Sequence, residues 1–105
     1  MKKLRVLFVC VGNACRSQMA EGFARHLGAD VVEAESAGMM PLGTVPSQTR
    51  KVMLEKEAPI DSQYPKGVEL FQGVEFDLVI NMSGIILPRG LKEKERRWTV
   101  PDPYG

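Results

Sequence analysis

One hundred and five residues carrying fourteen Lys plus Arg, thirteen Asp plus Glu and a formal charge of +1 suit one small domain over 1–105, with a core that folds without staples. Near charge balance argues against a dedicated nucleic-acid or polybasic membrane binder, and 44% apolar with 26% charged residues is the composition of a soluble globular chain. No apolar run approaches the roughly 20 residues of a spanning helix. The stretch after Met1-Lys2-Lys3 is interrupted by Asn13 and Arg16, so no signal peptide is read and the expected location is cytoplasmic.

Leu4 to Val9 is a nearly continuous apolar run, the mark of a strand covered on both faces in a parallel sheet. Gly12 and Asn13 break it, since both tolerate the positive φ of a tight loop. From Arg16 the period changes. Met19, Ala20, Phe23, Ala24 and Leu27 share one helix face, Ser17 is placed as N-cap, Glu21 lies close to the first turn, and Gly28 is a stop. Val31 to Ser36 is a second strand, and a loop with Pro41, Gly43 and Pro46 follows. A helix is expected over about Ser47 to Lys56 with Val52 and Met53 inward, closed by Pro59. Val68 to Phe71 is a short helical turn and Phe76 to Met82 a second buried strand. The run Lys92 to Arg97 carries both signs and reads as a solvated face. Trp98 to Val100 is a short strand with Trp98 as a core anchor. Strands alternating with helices predict a doubly wound α/β sheet, whose ligands sit at the carboxyl ends of the strands.

The two cysteines, Cys10 and Cys15, are five positions apart, too close for a disulfide framework and too few for structural zinc with only His26 nearby. His26 is read as solvated. Cys10-Val11-Gly12-Asn13-Ala14-Cys15-Arg16-Ser17 falls between the first strand and the first helix. A loop of that length can curl so that the N–H groups of residues 11–16 converge beside a helix N-terminus, an anion site for phosphate or a similar oxyanion. The same positive potential, with Arg16, favours the thiolate of Cys10, the nucleophilic form. The planar fork of Arg16 suits two equatorial oxygens. Ser17 can donate to the thiolate, and Asn13 can hold the loop's shape from within. Asp102, set between Pro101 and Pro103, is the candidate acid for the leaving group and base for water. The plain alternatives are a core thiol for Cys10 and a turn residue for Asp102. Met39, Met40 and Leu42 read as apolar loop packing, and Tyr104 as a stacking candidate beside Asp102.

These residues resemble a known family. Cys10-x-Gly-Asn-x-Cys15-Arg16-Ser17 near the start, then Ser36-Ala37-Gly38 and a late Asp102-Pro103, is similar to the low-molecular-weight protein tyrosine phosphatases, whose fold the thioredoxin-coupled arsenate reductases share. The resemblance implies a three-layer α/β sandwich with a four-stranded parallel sheet, a cysteinyl-phosphate intermediate, and neither metal nor other cofactor. It gives the catalytic roles to Cys10, Arg16 and Asp102, with Asn13 and Ser17 in support. The expected substrate is a phosphorylated protein or small aryl phosphate, with phosphate or arsenate as competing anion.

One feature pulls away from that first choice and one supports it. Gln18 follows Ser17 where phosphatases more often carry Pro, as in the arsenate reductases. Those reductases, however, carry two further cysteines after the strand that here ends at Met82, and no thiol follows Cys15 in this chain. The alternative is therefore a reductase drawing on an external thiol, glutathione with glutaredoxin or thioredoxin, and a third reading is a weakly catalytic oxyanion-binding module. Cys15 resembles the second loop cysteine of many family phosphatases, which closes a reversible disulfide on the nucleophile; a small packing residue is the other reading. The family's C-terminal helix has no counterpart before Gly105; either the sequence is a truncated version, or another surface covers that sheet face, a second copy of the chain being the expected candidate.

Overall fold

The structure is a computed structural model that describes residues 3–13, 15–41 and 43–98. Four parallel strands lie in the order β2-β1-β3-β4: β1 Leu4–Cys10, β2 Val32–Gly38, β3 Leu78–Asn81 and β4 Glu95–Arg97. Helix α1, Arg16–Leu27, joins β1 to β2; helix α2, Ser47–Glu55, and a 3-10 turn at Val68–Phe71 lie between β2 and β3. A second 3-10 turn, Lys92–Lys94, leads into β4. This is the α/β sheet that the sequence pattern predicts, with the four parallel strands that the family resemblance implies.

Strand β1 is central, and its alternation sorts the core. Leu7 and Val9 point to one face, where Val68, Phe71, Phe76, Val79, Leu87 and Leu91 complete a cluster. Val6 and Cys10 point to the other, against Ile80, Met82 and the partly buried Ala20 of α1. A third cluster, Val45, Met53, Ala58 and Ile60, packs on Met19 and Phe23 of α1. Cys10 therefore ends β1 on the face that α1 covers, at the carboxyl edge where parallel sheets carry their sites.

Four expectations change. The deeply buried residues of α1 are Ser17, Gln18, Glu21 and Gly22, not the apolar stripe; Met19, Ala20, Phe23 and Ala24 are only partly covered and Leu27 is exposed. In α2, Thr49 and Met53 are buried while Val52 faces solvent. The fourth strand forms from Glu95–Arg97, a run read as a solvated face, because an edge strand needs only backbone pairing on one side and tolerates charged side chains. Trp98 follows that strand and is half exposed rather than a core anchor, although its N–H donates to Asn81 O at 3.0 Å. No helix among the described residues is long and apolar enough to cross a membrane.

Leu7 is fully buried on the central strand. Leu7→Ala is expected to cost about 3 kcal/mol, the usual toll for emptying such a position, read as a lower urea midpoint with an unchanged slope.

Candidate active site

The loop leaving β1 is set by hydrogen bonds to its own side chains before any ligand is considered. Asn13 takes a left-handed conformation, φ 49°, which turns its N–H back to Cys10 Sγ at 3.1 Å. Its side chain is wholly buried. Asn13 Oδ1 accepts from the Lys66 backbone N–H at 2.7 Å and from Gln18 Nε2 at 3.0 Å. With two donors on that oxygen, Asn13 Nδ2 must donate, and it does so to Ser17 Oγ at 2.7 Å.

Ser17 Oγ lies 2.8 Å from Cys10 Sγ, and when the sulfur is ionised the serine hydroxyl is the member of the pair with a hydrogen to give. An ionised Cys10 sulfur is thus met by two donors, the Asn13 N–H and the Ser17 O–H. Such a setting suits a nucleophile that carries negative charge. Ser17 lies in the first turn of α1 and is not its N-cap: that position is Cys15, which makes no side-chain cap. The serine hydroxyl is committed to the loop instead.

Arg16 opens α1 and donates from Nη1 to Met82 O at 3.0 Å, so its guanidinium is tied to the chain just past β3. Val11, Gly12 and Asn13 run between this anchor and the strand, and Ala14 lies outside the described residues. Cys15 Sγ lies 3.2 Å from Thr49 Oγ1 of α2 and 4.0 Å from Met19 Sδ; Cys10 and Cys15 are both thiols. Asp102 and Tyr104 lie outside the described residues, as does Leu42. Met39 packs on the main core cluster and Met40 stands exposed.

The end of β2 braces the loop from beneath. Met39 N donates to Cys10 O at 3.1 Å and Met40 N to Val11 O at 2.8 Å. Gly38 is where the two segments touch: an added Cβ would stand 2.8 Å from both Asn13 N and Val11 O. Both are backbone atoms and neither can swing aside, which is why Ser36-Ala37-Gly38 ends on glycine.

Sequence reasoning missed three supports. Gln18, noted only as a branch marker, donates from Nε2 to Asn13 O at 2.9 Å and to Tyr64 O at 2.9 Å as well as to Asn13 Oδ1. Glu21 is buried rather than paired with the helix N-terminus; it accepts from Ser36 Oγ and pairs with Arg25 Nε at 2.8 Å and Lys66 Nζ at 3.7 Å. Lys66 was assigned no role. No local signal marks them, because their partners lie in distant segments.

The Cys10 sulfur with Asn13 N–H and Ser17 Oγ beside it, followed by Arg16 at the opening of α1, is an arrangement that can receive a tetrahedral oxyanion at a helix N-terminus. The chain belongs to the low molecular weight phosphotyrosine protein phosphatase family, whose model matches residues 5–105. Among individual relatives, it is 38% identical to the glutaredoxin arsenate reductase of Synechocystis sp., over the whole chain and 81% of that protein. It is 43% identical to the arsenate reductase of Staphylococcus aureus, over the whole chain and 82% of that protein. A solved arsenate reductase in the phosphate binding state superposes with a TM-score of 0.87 at 36% identity, covering 98% of this chain and 80% of that one. A low molecular weight protein tyrosine phosphatase from T. tengcongensis superposes at 0.76 with 28% identity, covering 98% and 84%.

Gly38→Ala is expected to destabilise by about 2 kcal/mol, as overpacking against backbone does, and to change the alkylation rate of Cys10 by iodoacetamide. Gly43→Ala, where an added Cβ meets nothing within 4 Å, should change neither; matched behaviour of the two variants would remove Gly38 from this role.

Proposed function

We propose that this protein is an arsenate reductase that takes its electrons from an external thiol. The observation that carries the proposal is Gln18: in place of the proline more usual in the phosphatase branch, it bonds three acceptors that fix the loop. The arsenate reductases among the relatives, matched over the whole chain, support the same branch. The sequence alone ranks phosphatase first; these two observations reverse the order.

The reaction balances with the residues present. Cys10 thiolate attacks arsenic of bound arsenate, an oxygen leaves as water, and a Cys10 S–As(V) bond forms. Arg16 and the loop N–H groups hold the remaining oxygens. Asp102 is the candidate donor of the proton that the departing oxygen takes. An external thiolate then attacks Cys10 Sγ; the S–As bond breaks with its electron pair on arsenic, releasing arsenite and leaving a mixed disulfide on Cys10. A second thiol cleaves that disulfide. The sum is one arsenate and two thiols to one arsenite, one disulfide and water.

No cysteine lies beyond Cys15 in the sequence, so an internal relay through the loop after β3 has no sulfur to use. Cys15 is the one residue of this chain able to replace the first external thiol, by closing a disulfide on Cys10. A cytoplasmic setting, where small thiols are kept reduced, fits this demand.

The family match favours a second reading, hydrolysis of phosphotyrosine or an aryl phosphate through a cysteinyl phosphate. One assay set separates the two. Purified protein is expected to form arsenite when supplied with glutathione and glutaredoxin, or with thioredoxin and its reductase, and to release little p-nitrophenol from p-nitrophenyl phosphate. Cys10→Ser should abolish arsenite formation, a loss of at least 10³-fold for a missing nucleophile on the order seen in covalent catalysis, while phosphate still binds. Cys15→Ser should retain turnover if both electrons arrive from outside. Brisk p-nitrophenol release with no arsenite formed would overturn the reductase reading in favour of the phosphatase.

A further inference from the structure

We propose that Lys66 is a positioning residue for the oxyanion loop, and that its buried ammonium on Glu21 is what holds the loop in its curled form. The inference rests on the loop being an anion site, not on which reaction follows there.

Lys66 meets the site through its backbone and the core through its side chain. Its N–H donates to Asn13 Oδ1 at 2.7 Å, and its carbonyl accepts from Gly38 N–H at 2.7 Å. From Asn13 the chain of contacts reaches the nucleophile in two steps, Asn13 Nδ2 to Ser17 Oγ and Ser17 Oγ to Cys10 Sγ. One residue thus bonds both the loop and the glycine that braces it.

The segment bearing Lys66 has little regular structure to hold it. Residues 61–66 form no helix or strand, and a single bridge, Gly38 to Gly67, ties their end to the sheet. Tyr64 beside it is exposed. Hydrogen bonds from a segment of this kind position nothing unless the segment is itself fixed. Gln63 Nε2 ties the segment to Gln18 O at 3.0 Å and Gln18 Oε1 at 2.7 Å, and its charged fixed point is the ammonium: Lys66 Nζ lies 3.7 Å from Glu21 Oε1 and donates to Tyr64 O at 3.2 Å, and its side chain is 7% exposed against 1% for Glu21. Tyr64 O also accepts from Gln18, so the lysine closes a ring between α1, the 61–66 segment and the loop.

Lysine is seldom buried to this degree without a partner that pins it. Glu21 is itself held rigidly by Ser36 Oγ and Arg25 Nε. Because those two contacts survive removal of the ammonium, Lys66→Met is expected to fold. What it loses is the tether that keeps the 61–66 backbone against Asn13.

The test compares wild type, Lys66→Met, Lys66→Arg, Glu21→Gln and the Glu21→Gln/Lys66→Met double variant. Each is titrated with inorganic phosphate by calorimetry, at a temperature where circular dichroism shows it folded. Lys66→Met is expected to weaken phosphate on the order of tenfold to a hundredfold, the scale of small misplacements in a binding site. Lys66→Arg, which keeps the charge, should recover most of the loss. Glu21→Gln should weaken phosphate in the same way, and the double variant should be no worse than the poorer single, since both act through one contact. In arsenate turnover, KM should rise more than kcat falls, whereas a general loss of folded protein would lower kcat and leave KM unchanged.

Wild-type phosphate affinity in folded Lys66→Met, or multiplying losses in the double variant, would overturn the proposal. If Lys66→Met does not fold, Glu21→Gln decides alone, and unchanged affinity there overturns it too. A wild type that binds phosphate but forms no arsenite would sink the reductase reading and leave this one standing.

Discussion

The structure of the site depends on the buried carboxamide of Asn13. A tight loop leaving the end of a strand gives up the backbone partners that its groups would have in a helix or sheet. Every buried polar group left over must then be met from elsewhere. Asn13 meets this need from both ends, its oxygen taking Lys66 N–H and Gln18 Nε2 and its nitrogen giving to Ser17. Its positive φ is a backbone cost that these contacts sustain, a pattern common where a site stores strain.

The same demand explains the unusual burial of α1. An amphipathic helix ordinarily turns apolar residues inward, yet here Ser17, Gln18 and Glu21 are the buried ones. Glu21 lies about one turn on from Ser17 and Gln18, and the three contact the loop and β2, so the helix serves as the loop's scaffold. Its hydrophobic contacts, through Met19 and Phe23 to the Met53 cluster and Ala20 to the sheet, are displaced to the flanks. A buried ion pair such as Glu21 with Lys66 adds little net stability over an apolar pair. Its value lies in geometry, because charges removed from water tolerate few arrangements.

Phosphate and arsenate have the same charge and nearly the same shape, so one loop can serve both chemistries. The fate of the sulfur adduct differs. A cysteinyl phosphate has no accessible reduction and must be hydrolysed by activated water. A cysteinyl arsenate can release arsenite when another sulfur attacks, because arsenic accepts the electron pair. In the reductase reading proposed above a thiol attacks the sulfur of the adduct, whereas in the phosphatase reading water would attack phosphorus and the cysteine thiolate would leave.

Much of this was legible in the chain. The continuous apolar runs of β1 and β3, the break at Gly12-Asn13 and the spacing of Cys10, Arg16 and Ser17 depend on local chemistry and near neighbours, and the fold and loop followed from them. Periodicity failed where a residue's worth is set by a distant partner. Nothing local marks Gln18 or Glu21 as buried, since their acceptors and donors come from Tyr64, Lys66 and Ser36. The charged run 95–97 became a strand because β3 offered an open edge, which no sequence window contains, and Trp98 was left outside the core for the same reason. The chain by itself determined which groups could do the chemistry, because a thiol, a guanidinium and a glycine-bearing turn carry their properties with them. The tertiary structure alone decided what holds them still, because hydrogen bonds between residues some fifty positions apart exist only once the sheet has brought both segments to one edge.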